Sequence, residues 1–131
     1  MAAPAPSPFF EALNRLGFKR WYERQLLSSH AHLVLCVFCL LGVVGGFEAY
    51  ARAAQDAADK VLDLTAILVS AGIGAWAIRQ YAQRMALAEF VANQATCPDC
   101  GTYGRLRGHC ATHDGAQVGC LKCGRRWDIS A

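Results

Sequence analysis

The chain has 131 residues, of which 54% are hydrophobic and only 18% charged, with a formal net charge of +3 and a mean hydropathy of +0.20. That balance is too oily for an ordinary small soluble domain. The cysteines number seven, and an odd count argues against a full disulfide framework.

In chain order, residues 1–7 carry Pro4, Pro6 and small side chains, the composition of a disordered leader. Ser7-Pro8 reads as an N-cap followed by proline at the first helical position. Phe9, Leu13 and Leu16 then recur at helical spacing, and Gly17 is placed to end that helix. A second stretch sets Phe18, Trp21, Tyr22 and Leu26 among Lys19, Arg20 and Arg24. Aromatics beside basic residues ahead of an apolar run suit a helix lying in a membrane interface, or one packed on a partner subunit. Residues 1–29 are accordingly read as a tail with an amphipathic interfacial helix.

Two apolar runs follow. Leu33–Phe47 has no charged side chain, and Leu64–Ile78 has only Thr65, Ser70 and Trp76 as polar or amphipathic members. Each is short, but extension to 31–50 and 61–80 reaches the roughly 20 residues a helix needs to span the hydrocarbon core. The extensions bring in His32, Glu48, Asp63 and Arg79 near the expected head-group levels. A helical hairpin buried in a soluble complex is the alternative. A cleaved secretory signal is another, since Ala49-Tyr50-Ala51 resembles a small-x-small cleavage site, although the segment ahead of the first run is longer than an ordinary n-region. His30 and His32 are read as interfacial polar residues rather than haem ligands, and Cys36 and Cys39, one turn apart, as packing residues. Gly42 and Gly46 make a G-x-x-x-G pair, and Ala66, Ser70 and Gly74 continue a small-residue ridge on the second helix, which lets two backbones approach closely. The alanine-rich connection 49–60 extends both helices before the turn.

Orientation follows from the basic residues. Arg15, Lys19, Arg20 and Arg24 precede the first run, and Arg79 and Arg84 follow the second. The connection has Arg52 and Lys60 against Glu48, Asp56, Asp59 and Asp63. The positive-inside rule puts both termini in the cytoplasm, in the inner or plasma membrane if the cell is bacterial. Ile78, Tyr81, Met85 and Ala88 continue a helical stripe to about Asn93, a stalk about 25 Å long at 1.5 Å per residue. The hairpin with its stalk is assigned to 30–93 and a separate module to 94–131.

That module contains the most specific signal in the chain. C-P-D-C-G at 97–101 and C-L-K-C-G at 120–124 give two C-x-x-C pairs at the spacing of a tetrathiolate metal site. A two-residue gap lets a tight turn aim both sulfurs at one ion, and the following glycine relieves the crowding where the chain doubles back. Short strands are expected over roughly 103–109, 116–120 and 124–129, with Gly108 and Gly115 framing a turn. His109, Cys110 and His113 offer an alternative ligand group, but lack knuckle glycines and are read as a turn.

The two knuckles, followed by Arg125, Arg126 and Trp127, resemble those of a zinc ribbon. The resemblance covers residues 97–128 only, and it implies Cys97, Cys100, Cys120 and Cys123 as ligands. Zinc is the expected metal. The same knuckles resemble rubredoxin, where the metal is iron, although the segment between them here is basic and poor in that family's aromatics and carboxylates. With four protein thiolates the coordination is closed, so the site is expected to be structural, the chain not an enzyme, and no small-molecule substrate is expected. Because the module is small, the metal is expected to supply much of its folding free energy. Arg105, Arg107, Lys122, Arg125 and Arg126 outnumber Asp99, Asp114 and Asp128, but four thiolates around a dication offset the excess, which disfavours nucleic acid.

The sequence therefore predicts a mainly α membrane hairpin of two transmembrane helices with a small C-terminal β zinc ribbon. The expected role is an accessory or assembly subunit of a larger membrane assembly, with lipid around the hairpin. A membrane-tethered rubredoxin-like electron carrier is the alternative. Phe9, Leu13, Trp21, Tyr22, Tyr103, Arg125 and Trp127 are the expected partner contacts.

Overall fold

A computed structural model describes residues 7–52 and 56–131; the leader reading and the middle of the alanine-rich connection lie outside them. The described chain is mainly helical, with α1 (Pro8–Leu16), α2 (Phe18–Tyr50) and α3 (Ala57–Gln94), followed by β1 (Leu106–Thr112), β2 (Gly115–Cys120) and β3 (Arg126–Ser130). The strands form one antiparallel sheet in the order β1-β2-β3. The chain divides into two compact units, one made of the residues up to Leu27 together with Arg84–Ala131, the other of Ser28–Gln83.

In the first unit, α1 starts where the sequence marks it. The Ser7 side chain accepts from the Phe10 amide at 3.3 Å, Pro8 occupies the first turn, and the Gly17 amide closes the helix on the Leu13 carbonyl at 2.9 Å. The Ser7 hydroxyl also donates to the Gly115 carbonyl at 3.0 Å, which ties the cap to the start of β2. Phe9 and Leu13, one turn apart, face inward onto a core shared with Phe18 and Trp21 of α2, Val91 of α3, Ala95, and Leu106, Ala116, Val118 and Ile129 of the sheet. Phe9 meets Trp21 edge-on at 5.1 Å, and Phe18 meets Tyr103 edge-on at 5.8 Å.

The cysteine module has too little apolar mass to form a core alone, as expected from its size, and the core it joins is completed from elsewhere in the chain. Residues from the beginning of the chain supply the missing side of the core. The fold revises the aromatic-basic stretch: Phe18–Leu26 is not a separate in-plane helix but the first turns of α2, which runs unbroken to Tyr50.

The strands lie where expected to within a few residues, and the shifts have causes. Tyr103 bridges Thr96 and the Gly104 amide bonds the Ala95 carbonyl at 3.0 Å, so this segment closes the first knuckle and β1 begins only at Leu106. Gly108 lies inside β1 rather than at a turn, because Phe10 and Asn14 of α1 pack against its open face. The hairpin turns instead at His113-Asp114, with Thr112 opposite Gly115 and a bulge between Gly108 and Cys110. The outer edge of β3 meets the end of α3: the Gln94 side chain accepts from the Ser130 amide, and the Gln94 carbonyl accepts from the Trp127 indole, both at 3.0 Å.

In the second unit, α2 and α3 are long and apolar enough to cross a membrane by length and composition. None of the most apolar window of α2 is buried within the chain, and only 11% of that of α3. Val34, Phe38, Leu41, Phe47, Leu68 and Trp76 all stand exposed. The two helices touch along the small-residue ridge. A Cβ at Gly42 would lie 2.9 Å from Ser70 Oγ, one at Gly46 would lie 2.6 Å from Ile67, and one at Gly74 would lie 3.1 Å from the Cys39 Cβ. Gly45, by contrast, meets nothing within 4 Å.

Two outcomes follow from this packing. Gly46→Val should loosen the hairpin and Gly45→Val should leave it intact, as read by thermal stability of the detergent-solubilised protein. Leu13→Ala should destabilise the first unit by about 2–5 kcal/mol, the range for a buried leucine truncation, measured as denaturant-dependent loss of sheet signal.

Candidate metal centre

Two turns of the same construction carry the four thiols. In the first, the Gly101 amide bonds the Cys97 carbonyl and the Cys97 amide bonds the Thr102 carbonyl, both at 3.0 Å. In the second, the Gly124 amide bonds the Cys120 carbonyl at 3.0 Å and the Cys120 amide bonds the Arg125 carbonyl at 2.8 Å. Gly101 and Gly124 have φ of 67° and 78°, a conformation that disfavours any residue with a Cβ, which is why glycine follows each pair. The second knuckle is held against the exit of the first by the Leu121 amide on the Arg105 carbonyl at 3.0 Å.

The sulfurs of Cys97, Cys100, Cys120 and Cys123 all lie within 4.8 Å of one another. Cys97 is 3.5 Å from Cys123, and Cys100 is 3.7 Å from Cys120. Four sulfurs placed tetrahedrally about 2.3 Å from a metal are about 3.8 Å apart, so this donor set fits a tetrahedral thiolate site. Sulfur-only tetrahedral ligation suits zinc and iron alike. Cys97 and Cys120 are buried against the protein, Cys100 is half-buried and Cys123 is exposed.

Without a metal the thiols do not ionise together. The Thr102 hydroxyl and amide beside Cys100 bring its pKa down to about 6. The Cys123 and Lys122 amides pull Cys120 below the usual thiol value. Cys123 is drawn down by the Arg125 amide, but the Cys97 sulfur, burial and the remaining two sulfurs outweigh it and push it up to about 12. A dication is what allows all four to be thiolates at once. Across the knuckles, Arg125 lies 3.6 Å from Asp99; both are half exposed, so the pair is worth about 1 kcal/mol at most.

The other expected positions fall into three groups. Phe9, Leu13 and Trp21 are buried at 7%, 3% and 7% exposure in the chain's own core, which leaves no surface there for a partner. Tyr22 and Trp127 are half-buried, with the Trp127 indole committed to Gln94. Tyr103 and Arg125 are exposed. His109, Cys110 and His113 do not join the cluster: the His109 ring covers Gly119, Cys110 faces Gln117, and His113 pairs with Asp114 at 2.8 Å. In α2, His32 bonds the Ser28 carbonyl at 2.6 Å and packs on Trp76. Cys36 and Cys39 line an open apolar groove between α2 and α3.

Sequence reading missed Gln94 and Thr102, and it placed Phe18 on an interfacial helix rather than in the shared core. Of the two missed, only Thr102 carried a local signal, as a hydroxyl two residues beyond a thiol. Compared with known proteins, the chain matches no family model, no curated protein and no solved structure.

Cys97→Ser or Cys123→Ser should abolish stoichiometric metal binding while leaving the apolar helices intact, whereas Cys110→Ser should change neither metal content nor protease resistance; metal analysis and limited proteolysis read both. Acidification should release the metal, since protons compete for thiols whose metal-free pKa reaches about 12 at Cys123, and a chromogenic chelator would follow the release.

Proposed function

We propose that this is a two-span integral membrane protein, with both termini in the cytoplasm, whose structural zinc module serves as a rigid docking element of a larger membrane assembly. The observation that carries the reading is the core shared between the two ends of the chain. Phe9, Leu13, Phe18 and Trp21 precede the apolar stretch of α2, and Val91, Leu106, Val118 and Ile129 follow that of α3, yet they pack as one unit. A chain whose two flanks fold together must cross a bilayer an even number of times. The excess of Lys and Arg on those flanks then points the shared unit to the cytoplasm. Cleavage near Ala51 would remove four of the core's aromatic and aliphatic members, which argues against a signal peptide.

The role is binding rather than catalysis. Four thiolates saturate a tetrahedral zinc, leaving no position for an activated water. A metal-pinned turn presents its tip at low entropic expense, and rigid small surfaces bind partners well for that reason. The tip of the second knuckle supports this: Leu121 is 65% exposed between buried Cys120 and the basic Lys122. An apolar side chain at the end of such a turn, next to Lys122 in sequence and sharing a groove with Arg107, is suited to a partner surface with an apolar socket and acidic rim.

The topology is tested at Cys110, which is exposed: impermeant thiol reagent should label it only after the membrane is opened, and labelling in sealed cells would overturn the orientation. The purified protein should be colourless with about one zinc per chain; a red, iron-loaded protein with a reversible one-electron couple would favour the carrier role instead. A photo-crosslinker at Leu121 or Arg125 should capture a second membrane or peripheral protein, and Leu121→Glu should weaken that association while zinc content is retained. A free monomer without crosslinks would sink the docking role.

A further inference from the structure

Cys36 and Cys39 stand one turn apart on α2 and line the same groove of about 350 Å³ between α2 and α3, within the second unit. We propose that this pair is a second metal site, separate from the knuckles, that takes a soft divalent cation content with two ligands, mercuric ion being the type. The inference goes beyond the docking role and does not depend on it.

The donors and the space beside them come first. Residues three apart on a helix are neighbours on one face, about 5–6 Å between Cβ atoms, so two thiols at that spacing can close on one ion. Both are free of disulfides, and neither sulfur has a hydrogen-bond partner among the described residues. The facing helix is stripped of bulk where they stand, with Ser70, Ala71, Gly74 and Ala75 as its wall of the groove. A Cβ at Gly74 would lie 3.1 Å from the Cys39 Cβ and 4.0 Å from its sulfur, so a larger residue there would press on Cys39. Cysteines that served only as small apolar fillers would close this space rather than border it.

The number of donors narrows the choice of metal. Thiolates favour soft ions. Among the described residues the knuckle cysteines are the only gathered group of three or more ligating side chains, so the groove supplies two donors and no third. His32, one turn before Cys36, is engaged with the Ser28 carbonyl and with Trp76 instead. Zinc, which takes four ligands, is poorly served by two.

Charge narrows it further. The remaining lining is Leu40, Val43 and Ile78, which offers nothing to neutralise an ion, and an uncompensated charge is costly in such surroundings. A monovalent ion such as copper(I) on two thiolates would leave one negative charge in the groove. With a dication, two thiols release two protons, two metal–sulfur bonds form, and the complex is neutral. Where the ion arrives already held by two small thiols, the step is an exchange: each carrier thiolate leaves with the proton of Cys36 or Cys39. A soft dication satisfied by two sulfurs in a line meets every one of these conditions.

The test uses the full-length zinc-loaded chain in non-ionic detergent, in a Cys110→Ser background so that the exposed thiol does not compete. Mercuric chloride is added to one equivalent in a buffer of excess glutathione. Native mass spectrometry reads the bound metal and a chromogenic chelator reads freed zinc. One mercury per chain with zinc retained is expected, because the groove gives up two protons whereas a zinc-loaded knuckle cluster would have to give up its ion. The double variant Cys36→Ser, Cys39→Ser should lose the mercury and keep the zinc. A second variant, Phe38→Cys with Cys39→Ala, keeps two thiols but sets them two residues apart, where helix side chains do not face each other, and should lose it too. Helical content by circular dichroism verifies the hairpin in both. Absence of bound mercury, zinc release by the first equivalent, mercury retained by either variant, or copper(I) held in preference to mercury would each overturn the proposal.

Discussion

The contact between Phe9, Leu13 and Trp21 and the inner face of the sheet, where Val118 and Ile129 are essentially inaccessible, is the constraint on which the rest of the first unit depends. A three-stranded sheet of short strands has one apolar face and nothing within residues 97–131 to cover it. Burying that face needs a second layer, and the chain recruits it from α1 and the start of α2. The Ser7 cap, which serves the helix and the Gly115 carbonyl at once, fixes how that layer meets β2.

The core and the thiol cluster occupy separate parts of the first unit. The core covers the sheet, and the four thiols sit on the two turns beside it. The knuckle hydrogen bonds are nearly identical in the two turns, so each presents its sulfurs in the same way, and a dication would resolve the like-charge conflict among them as thiolates. Thr102 and the amides around Cys120 favour thiolates there, whereas the neighbouring sulfurs and burial disfavour one at Cys123. Leu121, in the second knuckle between Cys120 and Lys122, stands exposed.

The second unit follows a different physics. Its helices gain little by burying side chains on each other. They meet where Gly42, Gly46 and Gly74 make room for Ser70, Ile67 and Cys39 of the other helix, and many of their large apolar residues point outward. In water such a hairpin would expose far more apolar surface than a soluble protein tolerates; in a bilayer that surface is satisfied by lipid, and close backbone packing supplies the helix contact.

The clustered cysteine pairs, the apolar helices, the Ser7 cap and the glycine ridge were legible because each is a local signal. A C-x-x-C-G knuckle is complete within five residues, an apolar run is read by counting, and a cap is a matter of two neighbours. The bounds of β1, the turn at His113-Asp114 and the role of Gln94 were not legible, since each is set by a contact with a residue far along the chain: Gly108 with Phe10, Gly115 with Ser7, Gln94 with Ser130. The amphipathic stripe of Phe9, Leu13 and Trp21 showed that something must cover it, but lipid, a partner and the chain's own sheet all ask for the same pattern. Only tertiary structure could decide among them, because the complementary face lies in strands that a hydrophobic pattern cannot pair with a helix ahead of two apolar spans. Sequence thus determined which cysteines cluster as candidate metal ligands and which stretches are membrane-like; folding determined that the two ends of the chain form a single body.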